Sequence, residues 1–191
     1  MEEASGSVNC PHKIEDVLDI LNKEISGSKN KRILPSVVLL LVDIDNLERV
    51  NRWYGRNTGN DVLSATAKIL HRMLRPDDLL ARFGGDEFLL LLRGVALKEA
   101  KEKASKIIES LKNHDFASDR LKISASIGIA HYFSFAFSSD ELLGCAVEAL
   151  ALAQKEGGTF KVFMEKILEL KDLKTYYSTD NGVAKSLSAV R

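Results

Sequence analysis

Arg82-Phe83-Gly84-Gly85-Asp86-Glu87-Phe88, running on into the apolar stretch Leu89 to Leu92, decides the reading of this chain. Two short runs of strand-forming residues, Leu79 to Phe83 and Phe88 to Leu92, flank a two-glycine corner that passes straight into a pair of carboxylates, the pattern of a tight β-hairpin. Glycine lets a ligand's backbone or phosphate come close, and the adjacent acidic pair can hold a divalent metal, so a phosphorylated substrate suits the turn. A Gly-Gly-Asp corner alone is more often only a turn.

Upstream, Val37-Val38-Leu39-Leu40-Leu41-Val42 is a continuous apolar run, as in a central strand buried on both faces, and it stops at Asp43-Ile44-Asp45. Carboxylates at the end of such a strand face a cleft, which makes Asp43 a candidate metal ligand. Asp45 precedes a helical stretch from about Asn46 to Tyr54 and is read mainly as its cap. Gly55 and Gly59 bracket a polar loop, and a helix follows from about Asn60 to Leu74 with Leu63, Ala67, Leu70 and Leu74 on one face. Arg75-Pro76-Asp77-Asp78 is then a turn by its proline. At the N-terminus, residues 1 to about 11 read as a mobile start. A packing helix is expected from His12 to about Ile25, from the spacing of Ile14, Val17, Leu18, Leu21 and Ile25, and Ser26 to Lys31 reads as a polar loop.

Downstream, Leu97, Ala100, Ala104, Ile107, Ile108 and Leu111 mark an amphipathic helix with a solvated charged face. Leu121 to Tyr132 reads as a strand with Gly128 at a close approach or bulge. Ser138 to Glu141 has capping-box spacing ahead of a helix that runs to about Lys155. Gly157-Gly158 ends that helix, and Phe160 to Phe163 reads as an edge strand. An amphipathic stretch from Glu165 to about Leu173 precedes a polar tail expected to fray. The resulting division is an N-terminal helix and linker over 1–30, a main domain over 31–165, and a C-terminal helix and tail over 166–191.

With 191 residues, the chain suits one domain with a sizeable core. Its 27 basic and 27 acidic residues balance, so net charge gives no argument for a nucleic-acid or anionic-membrane surface. Cys10 and Cys145 match no metal spacing and read as free thiols of a reducing compartment. The four histidines show no ligand spacing either. No apolar run reaches the roughly 18 residues of a membrane span, and Met1-Glu2-Glu3 does not begin a signal peptide. A soluble, cytoplasmic protein is the expectation.

Taken together, the hairpin string and the upstream acidic strand end resemble the GGDEF family of diguanylate cyclases, from about Val37 to Phe163. The resemblance implies an α+β fold: a ferredoxin-like palm, with a central antiparallel sheet and flanking helices, similar to those of nucleotidyl cyclases and polymerases. It implies that Asp43, the carbonyl of Ile44 and Asp86 bind Mg2+ or Mn2+, with Glu87 a further acidic group of the active site. Asn51 falls where the family places an asparagine on the guanine edge; Asn60, Leu47, Gly84 and Gly85 complete the implied substrate site. Ser124 to Ala130 is similar to the strand that follows the family's catalytic hairpin. Arg75-x-x-Asp78 has the spacing of the family's inhibitory site for cyclic di-GMP, although an ordinary surface ion pair fits the same residues.

Several positions depart from the family pattern. The Asp-x-Leu-Thr-x-Leu-x-Asn-Arg entry motif is absent, Glu48 stands in place of a common lysine, and Asn60 in place of an aspartate. An amide offers one donor and one acceptor face, so guanine preference can relax at Asn60. The cations of the pattern Ala-Lys-x-x-Gly-Arg are replaced by Gln154 and Gly158, with Lys155 or Lys161 as nearby substitutes. Phosphoryl transfer leans on cations, so these losses bear on rate. The expected activity is Mg-dependent condensation of two GTP into cyclic di-GMP across a homodimer, with input from a separate sensor protein or the N-terminal helix. A degenerate domain that binds GTP or cyclic di-GMP without turnover is the alternative, and a cyclase of altered base specificity a third.

Overall fold

The computed structural model of the chain describes residues 10–31, 36–116, 121–132, 138–163, 175–179 and 182–186. Helix α1 (Ile14–Lys31) leads into β1 (Val37–Ile44), followed by helices α2 (Leu47–Tyr54) and α3 (Arg56–Arg72). The hairpin strands β2 (Leu79–Arg82) and β3 (Glu87–Arg93) come next, then α4 (Leu97–Asn113), β4 (Ala125–His131), α5 (Ser139–Gln154) and β5 (Phe160–Val162). Five strands form one sheet in the order β2-β3-β1-β4-β5. Its first four, with the helices between them, are the βαββαβ arrangement of a ferredoxin-like palm.

The apolar run of β1 is central because both of its faces are covered. Val38, Leu40, Val42 and Ile44 pack with α3 and α4, through side chains such as Leu63, Leu70, Ala104 and Ile107. Val37, Leu39 and Leu41 alternate to the opposite face, against Val17, Leu21 and Ile25 of α1 and Ala146 and Leu150 of α5. β1 pairs antiparallel with β3, bringing Asp43 opposite Glu87, and antiparallel with β4, bringing Asp43 opposite Ser126. The strand period therefore carries Asp43 and Glu87 to the α5 face of the sheet, at the end where the hairpin turns.

The sheet is mixed, because β5 pairs with β4 in parallel. Helix α5 crosses back over the sheet before β5, and a strand-helix-strand crossover returns the chain to its starting end. Gly128 makes the close approach: a Cβ there would lie 2.1 Å from Ala146 O, so no side chain fits beneath α5. The pairing of β4 with β1 runs unbroken through it, so it is not a bulge.

Several sequence expectations change. Ser26 to Lys31 continues α1 rather than forming a loop. Residues 10–12 are placed against the sheet edge, where His12 and Leu80 exchange hydrogen bonds of 3.3 and 3.3 Å. Gly59 lies inside α3, which starts at Arg56; only Gly55, at φ 88°, separates the two helices. The strand read from Leu121 begins at Ala125. The tail read as fraying contains an antiparallel pair, β6 (Thr175–Thr179) and β7 (Gly182–Ser186). The amphipathic stretch Glu165 to Leu173 lies outside the described residues, as do residues 1–9. The capping box at Ser138 forms as read, with Glu141 N donating to Ser138 Oγ and Ser138 N to Glu141 Oε2.

Candidate active site

The end of β1 and the turn of the hairpin are tied through the backbone, Ile44 N donating to Asp86 O at 3.2 Å. That bond sets Asp86 beside the pair formed by Asp43 and Glu87. Burial pushes the Asp43 carboxyl up to about 6; a hydrogen bond from Gln154 opposes the shift, and the charges of Asp86, Glu87 and Asp45 add to it. Glu87 is raised by burial and then by Asp86. Among the described residues, no lysine or arginine forms an ion pair with Asp43, Asp86 or Glu87. The cluster therefore carries uncompensated negative charge.

The glycine corner has a defined shape. Arg82 Nε donates to Gly84 O at 3.1 Å, and the Arg82 guanidinium also donates to Gly85 O. Gly84 leaves room for the Glu87 side chain, whose Oε2 would lie 2.6 Å from a Cβ at that position. A side chain at Gly84 would crowd Glu87, whereas a Cβ at Gly85 would meet open space.

Beside the corner, between α2, α3 and the hairpin, lies a cleft of about 660 Å3. Leu47, Asn51, Asn60 and Gly85, four of the five candidate substrate residues read from sequence, line it together with Glu48 and Asp86, whereas Gly84 does not. Gly59 lies directly under Asn51, since a Cβ there would be 1.8 Å from Asn51 Oδ1. Arg56, Asn57 and Arg82 also face this cleft and were not anticipated. Arg82 stood inside the signature string and was the one with a usable signal.

On the other side of the Asp45-Asn46 corner is a smaller pocket of about 270 Å3 lined by Asp43, Asp45, Asn46, Ser124, Gln154 and Gly157. Neither Lys155 nor Lys161 lines it, and Lys161 instead pairs with Glu156 at 2.5 Å. Asp45 is not a helix cap. Asn46 holds the cap position of α2 at φ 60°, with no side-chain capping bond. The Asp45 carboxylate instead accepts from Ser124 Oγ at 2.6 Å, Ser126 Oγ at 2.7 Å and Gly158 N at 2.9 Å, joining β1, β4 and the turn after α5.

Arg75 and Asp78 have separate environments. Asp78 is buried, its carboxylate accepting from Arg75 N, Arg93 N and Lys103 Nζ at 3.0, 3.3 and 3.0 Å. The Arg75 side chain is exposed and reaches Glu99 at 3.9 Å, at the edge of a recess that includes Lys103 and Lys106. A surface ion pair between Arg75 and Asp78 side chains does not form.

A divalent cation suits the acidic cluster on charge, given the elevated Asp43 carboxyl and the lack of a paired cation. Among the described residues, no three His, Cys, Asp or Glu side chains are grouped to hold a metal. Two carboxylates, a main-chain carbonyl, water and substrate phosphate form the kind of partial set that magnesium uses.

The family described as "Diguanylate cyclase, GGDEF domain" matches residues 18–159. The probable diguanylate cyclase DgcT of Escherichia coli K12 is 33% identical over 135 residues, covering 68% of this chain and 29% of DgcT. Diguanylate cyclase DosC of the same strain is 27% identical over 158 residues, covering 73% of this chain and 33% of DosC. The chain thus spans about a third of the length of these curated relatives. The structure of the GGDEF domain of YfiN from Pseudomonas aeruginosa superposes with a TM-score of 0.74 at 28% identity, over 83% of this chain and 93% of that one.

Proposed function

This chain belongs to the GGDEF diguanylate cyclase domain family, and on that premise we propose that it condenses two GTP molecules into cyclic di-GMP with release of two pyrophosphates. One observation carries the reading: Asp43, Asp86 and Glu87 gather at one strand end, uncompensated, beside a 660 Å3 cleft lined by Asn51 and Asn60.

In this reading the Asn51 and Asn60 amides hold the purine edge, Asn51 kept in place by its seat on Gly59. The narrow Gly84-Gly85 corner, braced by Arg82, lets the phosphates approach the backbone. Asp43, Asp86 and the carbonyl of Ile44 would hold Mg2+ or Mn2+, which when bound lowers the pKa of the attacking 3′-hydroxyl and neutralises charge on the departing pyrophosphate. Glu87, directly across from Asp43 and with a raised carboxyl pKa, accepts the 3′-hydroxyl proton. Each site holds only one of the two reacting nucleotides, so the reaction needs a homodimer. Neither Cys10 nor Cys145 is in a disulfide, which fits a reducing cytoplasm, where GTP is also found.

A second reading rests on Gln154. It occupies the acidic pocket where the family pattern has a lysine, and among the described residues no cation lines that pocket. A domain that binds GTP or cyclic di-GMP without turnover follows from that loss, with Arg75 and its neighbouring lysines as the contact for cyclic di-GMP. Asn60 supports a third, a cyclase that also accepts adenine.

Mass spectrometry of products formed from GTP, ATP or both, with magnesium, separates these readings. Cyclic di-GMP from GTP alone, lost in Asp86→Ala, supports the cyclase, and turnover that survives Asp86→Ala sinks the metal assignment. A mixed dinucleotide points to Asn60. No product, together with cyclic di-GMP binding that Arg75→Ala removes, establishes the receptor.

A further inference from the structure

Among the described residues, Arg56 and Arg82 are the cations that line the nucleotide cleft. Arg82 is already engaged, its guanidinium donating to Gly84 O and Gly85 O at the corner. Arg56 is exposed, and among the described residues it forms no ion pair. The local fold sets its place. Gly55, at φ 88°, turns the chain from α2 into α3, and Arg56 is the first residue of that helix. Asn60 follows four residues later in α3, and helical neighbours at that spacing share a face with their Cβ atoms about 5–6 Å apart. Arg56 and Asn60 therefore enter the cleft side by side.

The other polar groups of the cleft select poorly between purines. Asn51, Asn57 and Asn60 carry neutral amides, and an amide, with a donor and an acceptor, can turn to meet the edge of guanine or of adenine. The Glu48 carboxylate is taken by Arg52 at 2.8 Å. A guanidinium differs from all of these, because it offers donors only, in a fixed fork. Guanine presents two adjacent acceptors, O6 and N7, to such a fork, whereas adenine puts its N6 amino donor beside N7. An arginine thus accepts one purine and opposes the other.

We propose that Arg56 is a specificity-determining residue of the nucleotide cleft, its guanidinium donating to O6 and N7 of a guanine whose remaining edge is held by the Asn51 and Asn60 amides. The proposal rests on the nucleotide-cleft reading and deepens it. The guanine preference that Asn60 alone relaxes is restored by its neighbour one turn earlier on α3. Arg56 stands with Asn60 on the α3 wall of the cleft. In that reading the phosphates belong to the hairpin wall, at the Gly84-Gly85 corner, so the arginine meets the base.

Calorimetry with magnesium and the 3′-deoxy forms of GTP and ATP, which lack the attacking hydroxyl and so bind without turnover, tests it directly. Wild-type protein should prefer 3′-deoxy-GTP. Arg56→Ala should weaken 3′-deoxy-GTP about 10- to 100-fold, the discrimination that one bidentate contact gives, and leave 3′-deoxy-ATP unaltered, so that the preference collapses. Arg56→Lys keeps the charge but not the fork and should lose most of the preference as well. The 7-deaza form of 3′-deoxy-GTP, which lacks the N7 acceptor, should bind more weakly than 3′-deoxy-GTP to wild type and equally well to Arg56→Ala. Equal losses for both purines in Arg56→Ala, restored by Arg56→Lys, put the arginine on the phosphates and overturn the assignment. A preference that Arg56→Ala leaves intact, or a wild type that takes both purines equally, overturns it too. Each of those outcomes leaves the nucleotide cleft standing. Wild-type protein that binds neither nucleotide overturns the cleft reading, and the assignment with it.

Discussion

Ser126 Oγ donates a 2.7 Å hydrogen bond to Asp45 Oδ1 across 81 residues of sequence, and the serine is fully buried. With Ser124 and Gly158 as further donors, Asp45 is a knot joining three segments around the acidic pocket. Ser126→Ala removes one donor without opening much space. The expected cost is about 1–2 kcal/mol, seen in urea unfolding as a lower midpoint with an unchanged slope. A helix-capping Asp45 would leave Ser126 irrelevant and the midpoint unmoved.

Gly59 and Asn51 form a second contact of this kind. Alanine favours helix over glycine by about 1 kcal/mol, so Gly59→Ala would normally help α3. Here its Cβ would lie 1.8 Å from Asn51 Oδ1 and must displace that amide. Nucleotide affinity, read by calorimetry with 3′-deoxy-GTP, should fall about tenfold, as expected for loss of one good hydrogen-bonding group. Unaltered affinity would remove Asn51 from the base-binding role.

The acidic cluster predicts a pH dependence. Asp43 titrates near 3.8 when unfolded and about 6 when folded, so the folded state holds a proton that the unfolded chain has already released. Stability is therefore lost as pH rises between those values and stays lost above them; Glu87 shifts in the same sense. In EDTA at pH 8, Asp43→Asn should melt on the order of 2–4 °C above wild type, with the difference vanishing below pH 3.8. Adding magnesium at pH 8 should raise the melting temperature of wild type and leave the variant unchanged. A magnesium response of equal size in both proteins would take Asp43 out of the metal site.

Gln154 is the position where a single charge is most informative. Its side chain already reaches Asp43, and lysine there would set an ammonium inside the acidic pocket. If the cyclase is limited by missing cations, Gln154→Lys should raise kcat at least about tenfold, with a smaller change in KM. No gain in a variant that still binds nucleotide would place the limitation elsewhere. The companion change at Gly158 is a poor choice, because φ is +59° there and a side chain would be strained.

Much of this was legible in the chain. The hairpin, the buried central strand and the capping box are local patterns, in which side-chain period and turn chemistry act over a few residues. Asp43, Asp86 and Glu87 were readable because each lies at a strand end or in the hairpin turn inside a recognisable string. The sequence by itself determined the palm, its family and the acidic strand ends.

Tertiary structure alone decided the role of Asp45, whose donors lie 79, 81 and 113 residues away, and the place of Gly59, inside α3 with Asn51 filling the space a side chain would take. It also set β5 parallel to β4, seated Gln154 on Asp43 and left Trp53 outside. These outcomes depend on which segments meet once the sheet has formed. Local propensity describes the cost of a conformation at one residue, and it carries no information about a partner that only folding brings within hydrogen-bonding distance.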